Sequence, residues 1–225
     1  MPEQRFRPNQ RDRAVPADFG VGEFERRRET RGVRVVLAGT AGGTGTTTLA
    51  ALVFESVRHS LEGSPVLYDH SGGDLGARLT NGDDVAQLDD SLALHDIGPH
   101  AATGGIDALE APHDLLIAVT AASPAGLALA DELLTAVSER FGSAGLSRVV
   151  VVANGATGYS RSAARLAGAL RDRFGQGCVA EFPSDTALAM DGRIPLTRLG
   201  LPARRAQAAL AKRTGELLAM HRRAR

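Results

Sequence analysis

The sequence predicts a single α/β domain built on a mainly parallel sheet with helices on both faces. From Val33 onward, short apolar runs alternate with stretches of helical spacing. The runs are apolar at successive positions, as in strands covered on both sides. A chain of 225 residues can bury one sizeable core, with little room for a second.

The first run, Val33-Arg34-Val35-Val36-Leu37-Ala38, ends in Gly39 and reads as a buried strand. Residues 47–60 have helical periodicity, with Leu49, Leu52, Val53 and Val57 on one side. Further strands are predicted at 65–69, 92–96, 114–120, 148–154 and 177–182. Ser123 followed by Pro124 is an N-cap and first-turn proline, opening a helix expected to stop near Phe141-Gly142. Two more helices are predicted at 160–174 and 202–220. Residues 1–31 hold eight Arg, six acidic residues and three Pro without apolar periodicity, and read as a disordered or loosely attached tail, with binding to nucleic acid or acidic partners as the alternative that its mixed charge favours less. The domain is expected over 32–221, with 222–225 a basic tail.

Composition excludes several classes of function. Lys+Arg and Asp+Glu are 26 each, so net charge gives no support for nucleic-acid binding. Trp is absent and aromatics make up 4%, which leaves no platform for stacked bases. Cys178 is the one cysteine, so a disulfide framework is ruled out and a reducing, cytoplasmic setting is expected. The charge-free stretch 115–130 is divided by Ser123-Pro124, and reads as a strand and a helix rather than a membrane span. Membrane contact is not expected of the Ala-rich terminal helix either; it is expected to pack on the domain. Of 26 basic residues only Lys212 is lysine, so no lysine in the first 211 residues can take part in any mechanism.

In parallel sheets ligands bind where loops leave the carboxyl ends of the strands. Four features fall there: the loop from Gly39 to Thr48, Asp69, Asp96 and Asn154. The loop reads Gly39-Thr40-Ala41-Gly42-Gly43-Thr44-Gly45-Thr46-Thr47-Thr48. Glycines there let several N–H groups converge on one anion, and the following helix adds its positive end. A dinucleotide fingerprint starting at Gly43 would put Thr48 where its third glycine belongs, so that fit is poor. The P-loop pattern G-x-x-x-x-G-K-[ST] fits better through Gly39, Gly45 and Thr47, with Thr46 at the lysine position. Asp69 and Asp96 read either as caps of the next turn or as carboxylates beside phosphate and magnesium. The histidines lack metal-ligand spacing. Gly72-Gly73 and Gly104-Gly105 read as flexible loops, either switches or plain linkers. Arg78 and Arg148 are candidate substitutes for a phosphate-binding lysine, with exposed surface positions expected for both.

The chain resembles the ParA/MinD-like ATPases, whose deviant Walker A motif reads K-G-G-x-G-K-[ST]-[ST]. Ala41 and Thr46 replace both family lysines. The likeness continues through VLYDHSGGDLGARL, LALHDIGPHA, DLLIAVTAASPAGLALADELL, VVVVANGAT and EFPSDTALAMDGRIPLTRL. Asp69 matches the family's first aspartate after its second strand, and is a candidate for a catalytic role. Ser71 stands where the hydrolysis-linked aspartate would be. The resemblance implies an ATP/ADP site with Mg²⁺: phosphates on Gly42, Gly43, Thr44, Gly45, Thr46, Thr47 and Thr48, the metal at Thr47 and Asp96, and the base near Asn154, Pro183 and Asp185. It also implies a homodimer and a further protein partner. Relatives act in chromosome partitioning, cell division and the positioning of pili, flagella or secretion machinery. With Ala41, Thr46 and Ser71 in place, hydrolysis is expected to be slow or absent. Two alternatives stay open: a scaffold that binds no nucleotide, and an active ATPase with a rewired site.

Overall fold

The computed structural model describes residues 32–60, 64–79, 88–155 and 160–223. The expected tail over 1–31 lies outside them. Strands β1 (Val33–Gly39), β2 (Ser64–Asp69), β3 (Leu88–Asp96), β4 (Leu115–Ala121), β5 (Val149–Asn154) and β6 (Val179–Phe182) form one sheet in the order β2-β3-β1-β4-β5-β6. Every neighbouring pair is parallel. The helices are α1 (Thr46–Ser60), α2 (Leu75–Arg78), α3 (Ile106–Ala108), α4 (Pro124–Leu146), α5 (Arg161–Phe174) and α6 (Leu201–Arg223). A π-helical turn, Ala101–Gly105, precedes α3.

The strand alternation divides the core into two layers. Val35 and Leu37 face the layer of α1 and α6, packing with Leu49, Leu52, Leu210 and Leu217. Val36 and Ala38 face the layer of α4 and α5, with Leu127, Leu134, Ala163 and Ala167. Each fully buried leucine or valine contributes roughly 1.5–3 kcal/mol, which accounts for the uninterrupted burial of β1. The terminal helix docks on α1 through Leu210, Leu217 and Leu218, as expected of an Ala-rich helix without an aromatic anchor. Among the described residues no helix is long and apolar enough to cross a membrane.

Ser123 caps α4, accepting from the Gly126 N–H at 3.1 Å, with Pro124 opening the helix. Gly142 breaks the helical backbone at φ 62° and ψ −154°, where a stop was expected, and one further turn follows to Leu146. One loop reading is corrected. Gly104 and Gly105 belong to the π-helical turn, not to a flexible loop. Gly105 is buried because a Cβ there would stand 3.1 Å from Leu116 Cδ1 and 3.4 Å from the Ala38 Cβ.

The register brings the functional candidates level. Leu37 pairs with Asp96, Asp69 with Asp96, Gly39 with Val119, Ala121 with Asn154, and Asn154 with Phe182. All six strand ends meet along one edge. β1 lies between β3 and β4, so chain direction along the sheet diverges at the glycine loop, the place where α/β sheets open a crevice.

Candidate functional site

The loop from Gly39 to Gly45 turns back on itself and hands the chain to α1. Gly43 and Gly45 have φ of 74° and 85°, a backbone region that side chains other than glycine's avoid. Gly45 has a second reason to be glycine: a Cβ there would lie 2.5 Å from Asn154 Nδ2. The loop is anchored on both flanks. Gly39 N–H donates to the Gly98 carbonyl at 2.8 Å and Thr40 N–H to the Val119 carbonyl at 2.9 Å. Asn154 Nδ2 donates to the Thr44 carbonyl at 2.8 Å. The first-turn N–H groups of α1 have no partner within the helix, so they and its positive end face whatever occupies the loop.

Thr46 and Thr47 face different ways. The Thr46 hydroxyl is buried, 3.2 Å from Thr44 Oγ1, and a Cβ on Gly39 would stand 2.7 Å from each of these oxygens. Thr47 Oγ1 lies 3.3 Å from Ser71 Oγ. Gly73 closes on the same point, since a Cβ there would be 2.6 Å from Thr47 Oγ1.

Asp96 is fully buried beneath this hydroxyl pair. Its Oδ1 accepts from the Gly98 N–H at 3.0 Å, while its Oδ2 has no hydrogen-bond partner among the described residues. Burial pushes its carboxyl above the ordinary aspartate range. The Gly98 N–H and then the nearby Thr47 and Ser71 hydroxyls, which form no hydrogen bond to Oδ2, pull the other way, and the Asp69 charge adds to the rise. An orphaned carboxylate oxygen this deep costs stability unless a cation completes it. A magnesium ion fits the donor set of one carboxylate and one hydroxyl, because magnesium takes few protein oxygens and leans on phosphate and water.

Asp69 is differently employed. Its Oδ1 accepts from Ser71 N–H at 2.9 Å and Ser71 Oγ at 2.7 Å, and its Oδ2 from Leu75 N–H at 2.9 Å. Both oxygens hold the turn that leads to α2. His70 and His95 stack with Tyr68, and His70 Nε2 lies 3.1 Å from His95 Nδ1. His95 adjoins Asp96 in β3, so strand alternation turns it toward the opposite face of the sheet.

Two clefts meet at the loop. One, of about 320 Å³, is lined by the loop from Ala41 to Thr48 together with Ser71, Gly73, Gly98 and Pro99. The other, of about 390 Å³, continues from Gly43, Thr44, Gly45 and Thr48 past Asn154 to Pro183 and Asp185. All the expected site residues except Asp69 therefore line one or both clefts or, like Asp96, lie just under them. Asp185 points its oxygens back into its own loop, accepting from Ala187 N–H at 2.9 Å and Gly200 N–H at 2.8 Å. No cationic side chain lines either cleft among the described residues.

The surface positions expected for two arginines are corrected. Arg148 is buried at the opposite end of the sheet, donating to the carbonyls of Leu109 at 2.8 Å and Ala111 at 2.6 Å. Arg78 is partly buried and fully engaged beside the second cleft. The wall from Leu188 to Ala189 and the turn at Gly98 were not expected as site residues. A signal for the turn was present in Ile97-Gly98-Pro99, directly after a strand-end aspartate.

No family model matches the chain, and no curated protein is detectably similar in sequence. Its fold matches that of a ParA family ATPase from Chlorobium tepidum TLS with a TM-score of 0.59, at 15% identity. The match covers 80% of this chain and 97% of the other. The chain has a ParA/MinD-like fold.

Proposed function

We propose that the chain is a ParA/MinD-like nucleotide-binding protein, taking ATP or ADP with magnesium at the strand ends and hydrolysing it slowly or not at all. One observation carries this reading: an open glycine-threonine loop at the start of α1 stands directly over Asp96, whose Oδ2 is buried without a partner. The loop N–H groups and the N-terminus of α1 would receive phosphates, and Asn154 with the Pro183–Asp185 backbone would border the base. Thr47 and Asp96 would hold magnesium, which when bound supplies the positive charge that the loop's side chains lack.

The same residues favour binding over turnover. A P-loop lysine stabilises charge that builds during phosphoryl transfer, and the Thr46 hydroxyl is turned to Thr44 instead. Ser71 has no carboxylate with which to orient water, and both Asp69 oxygens are occupied by their own turn. The protein would then act as a nucleotide-dependent positioning or regulatory factor, through association with a second copy and a protein partner.

A titration with Mg-ATP and Mg-ADP, with phosphate release followed on the same samples, tests this. The reading expects saturable binding that weakens when magnesium is withdrawn, with little or no release. Rapid turnover would overturn the slow-hydrolysis part. Absence of binding at millimolar nucleotide would overturn the whole reading and leave a scaffold without nucleotide, which the inward-turned Thr46 hydroxyl would then favour.

A further inference from the structure

Arg78, the last residue of α2, joins two parts of the cleft that are far apart in sequence. One terminal nitrogen donates to Thr48 Oγ1 at 2.6 Å and to the Leu188 carbonyl at 2.7 Å. The other donates to the Met190 carbonyl and, at 3.4 Å, to the Gly192 carbonyl. Its own carbonyl accepts from Ile194 N–H at 3.2 Å. One residue thus fastens the segment 188–194 at four points and ties it to the first turn of α1. Leu188 and Thr48 both line the base-side cleft. The clamp is itself held in place, because Leu75 at the start of α2 is fully buried and its N–H donates to Asp69 Oδ2.

All four acceptors are neutral, so these bonds leave the positive charge of the guanidinium uncancelled. Because the Thr48 oxygen accepts from Arg78, its own proton is free to point toward another acceptor. A donor polarised in this way is strengthened. With no cation lining either cleft among the described residues, Arg78 stands as a full positive charge one hydrogen bond behind the wall.

We propose that Arg78 is a positioning residue of the nucleotide cleft: it pins the 188–194 wall to α1 and aims the Thr48 hydroxyl at the ligand as a donor. The ligand-facing half of this inference rests on the nucleotide reading above; the clamp itself does not. Lysine cannot reproduce it, since an ammonium lacks the planar fork that reaches three carbonyls and a hydroxyl together.

The test uses the full chain with Arg78→Gln and Arg78→Lys, the second retaining the charge in case the first folds poorly. Amide hydrogen exchange without ligand should quicken at least about tenfold across 188–194 in both variants, with β1 and α4 unchanged, as expected for a local opening. Mg-ADP affinity should fall about tenfold or more in Arg78→Gln, the scale of one charge-assisted contact. Thr48→Val should weaken Mg-ADP as well, and the double variant should be no weaker than Arg78→Gln by more than about twofold, because the two act as a unit. Unchanged exchange overturns the clamp, intact Mg-ADP binding by Arg78→Gln overturns its ligand-facing role, and additive losses overturn the role of Thr48. A native chain that binds no Mg-ADP overturns the nucleotide reading and the ligand-facing half, while exchange still decides the clamp.

Discussion

Asn154 Nδ2 donates to the Thr44 carbonyl at 2.8 Å, joining the end of β5 to a loop 110 residues earlier in the chain. The bond sets the height of the glycine loop over the strand ends, and the same amide fills the space that a Cβ on Gly45 would need. One side chain therefore lines the larger cleft and shapes the glycine loop that borders both.

Asn154→Ala should cost about 1 kcal/mol of stability, the usual net value of one hydrogen bond. Mg-ADP affinity should fall more than that figure suggests, because the loop loses its fixed height as well as a contact. Thermal melts and calorimetric titration on the same preparations would show whether affinity falls by more than about fivefold.

Asp96 should show opposite effects on stability and function. Its folded carboxyl titrates above the ordinary aspartate value near 3.8, because burial opposes its charge. The folded state therefore holds the proton more tightly than the unfolded chain. The stabilisation this gives is complete below the ordinary value and is lost as pH rises through the folded one. Asp96→Asn should flatten that loss and leave the ligand-free protein about 1–3 kcal/mol more stable at neutral pH. It should also abolish the gain in nucleotide affinity on adding magnesium. Denaturant melts across pH with parallel titrations would check both, and a less stable variant would contradict the orphaned-oxygen account.

Arg34 serves as the control at the far end of the sheet. Its guanidinium and N–H both bond the buried carboxylate of Asp114, whose carboxyl burial raises even with this partner beside it. Arg34→Ala should destabilise by about 3–5 kcal/mol, since it strands a buried charge. Nucleotide affinity at low temperature should be unchanged, because five residues of β1, about 16 Å, separate Arg34 from the loop. A melt and a titration below the transition would separate the two effects.

The elements most legible in the sequence were those whose burial is nearly complete. The inner strands β3, β1, β4 and β5 were visible as apolar runs because both faces of the sheet are covered there, and the half-buried edge strands β2 and β6 showed as shorter runs; four strand-end features already pointed to one edge. The short elements were not legible. The four residues of α2 have no periodicity to read, and the helix is held by Asp69 and Asp74 rather than by an apolar stripe. Gly104-Gly105 looked like a flexible loop because a glycine required for close packing has the same letter as one required for a turn. The arginines were misread for a related reason. Backbone carbonyls take the guanidinium of Arg78, and main-chain acceptors leave no mark in a sequence.

The most direct test of the central claim is equilibrium binding of Mg-ATP to the native chain beside Gly45→Val and Thr46→Lys. The account predicts saturable binding by the native chain, and none by Gly45→Val, whose side chain would meet Asn154 at a φ of 85°. For Thr46→Lys it predicts a gain of roughly one to two orders of magnitude from one restored charge-assisted contact. No binding by the native chain, or equal binding by all three, would contradict it.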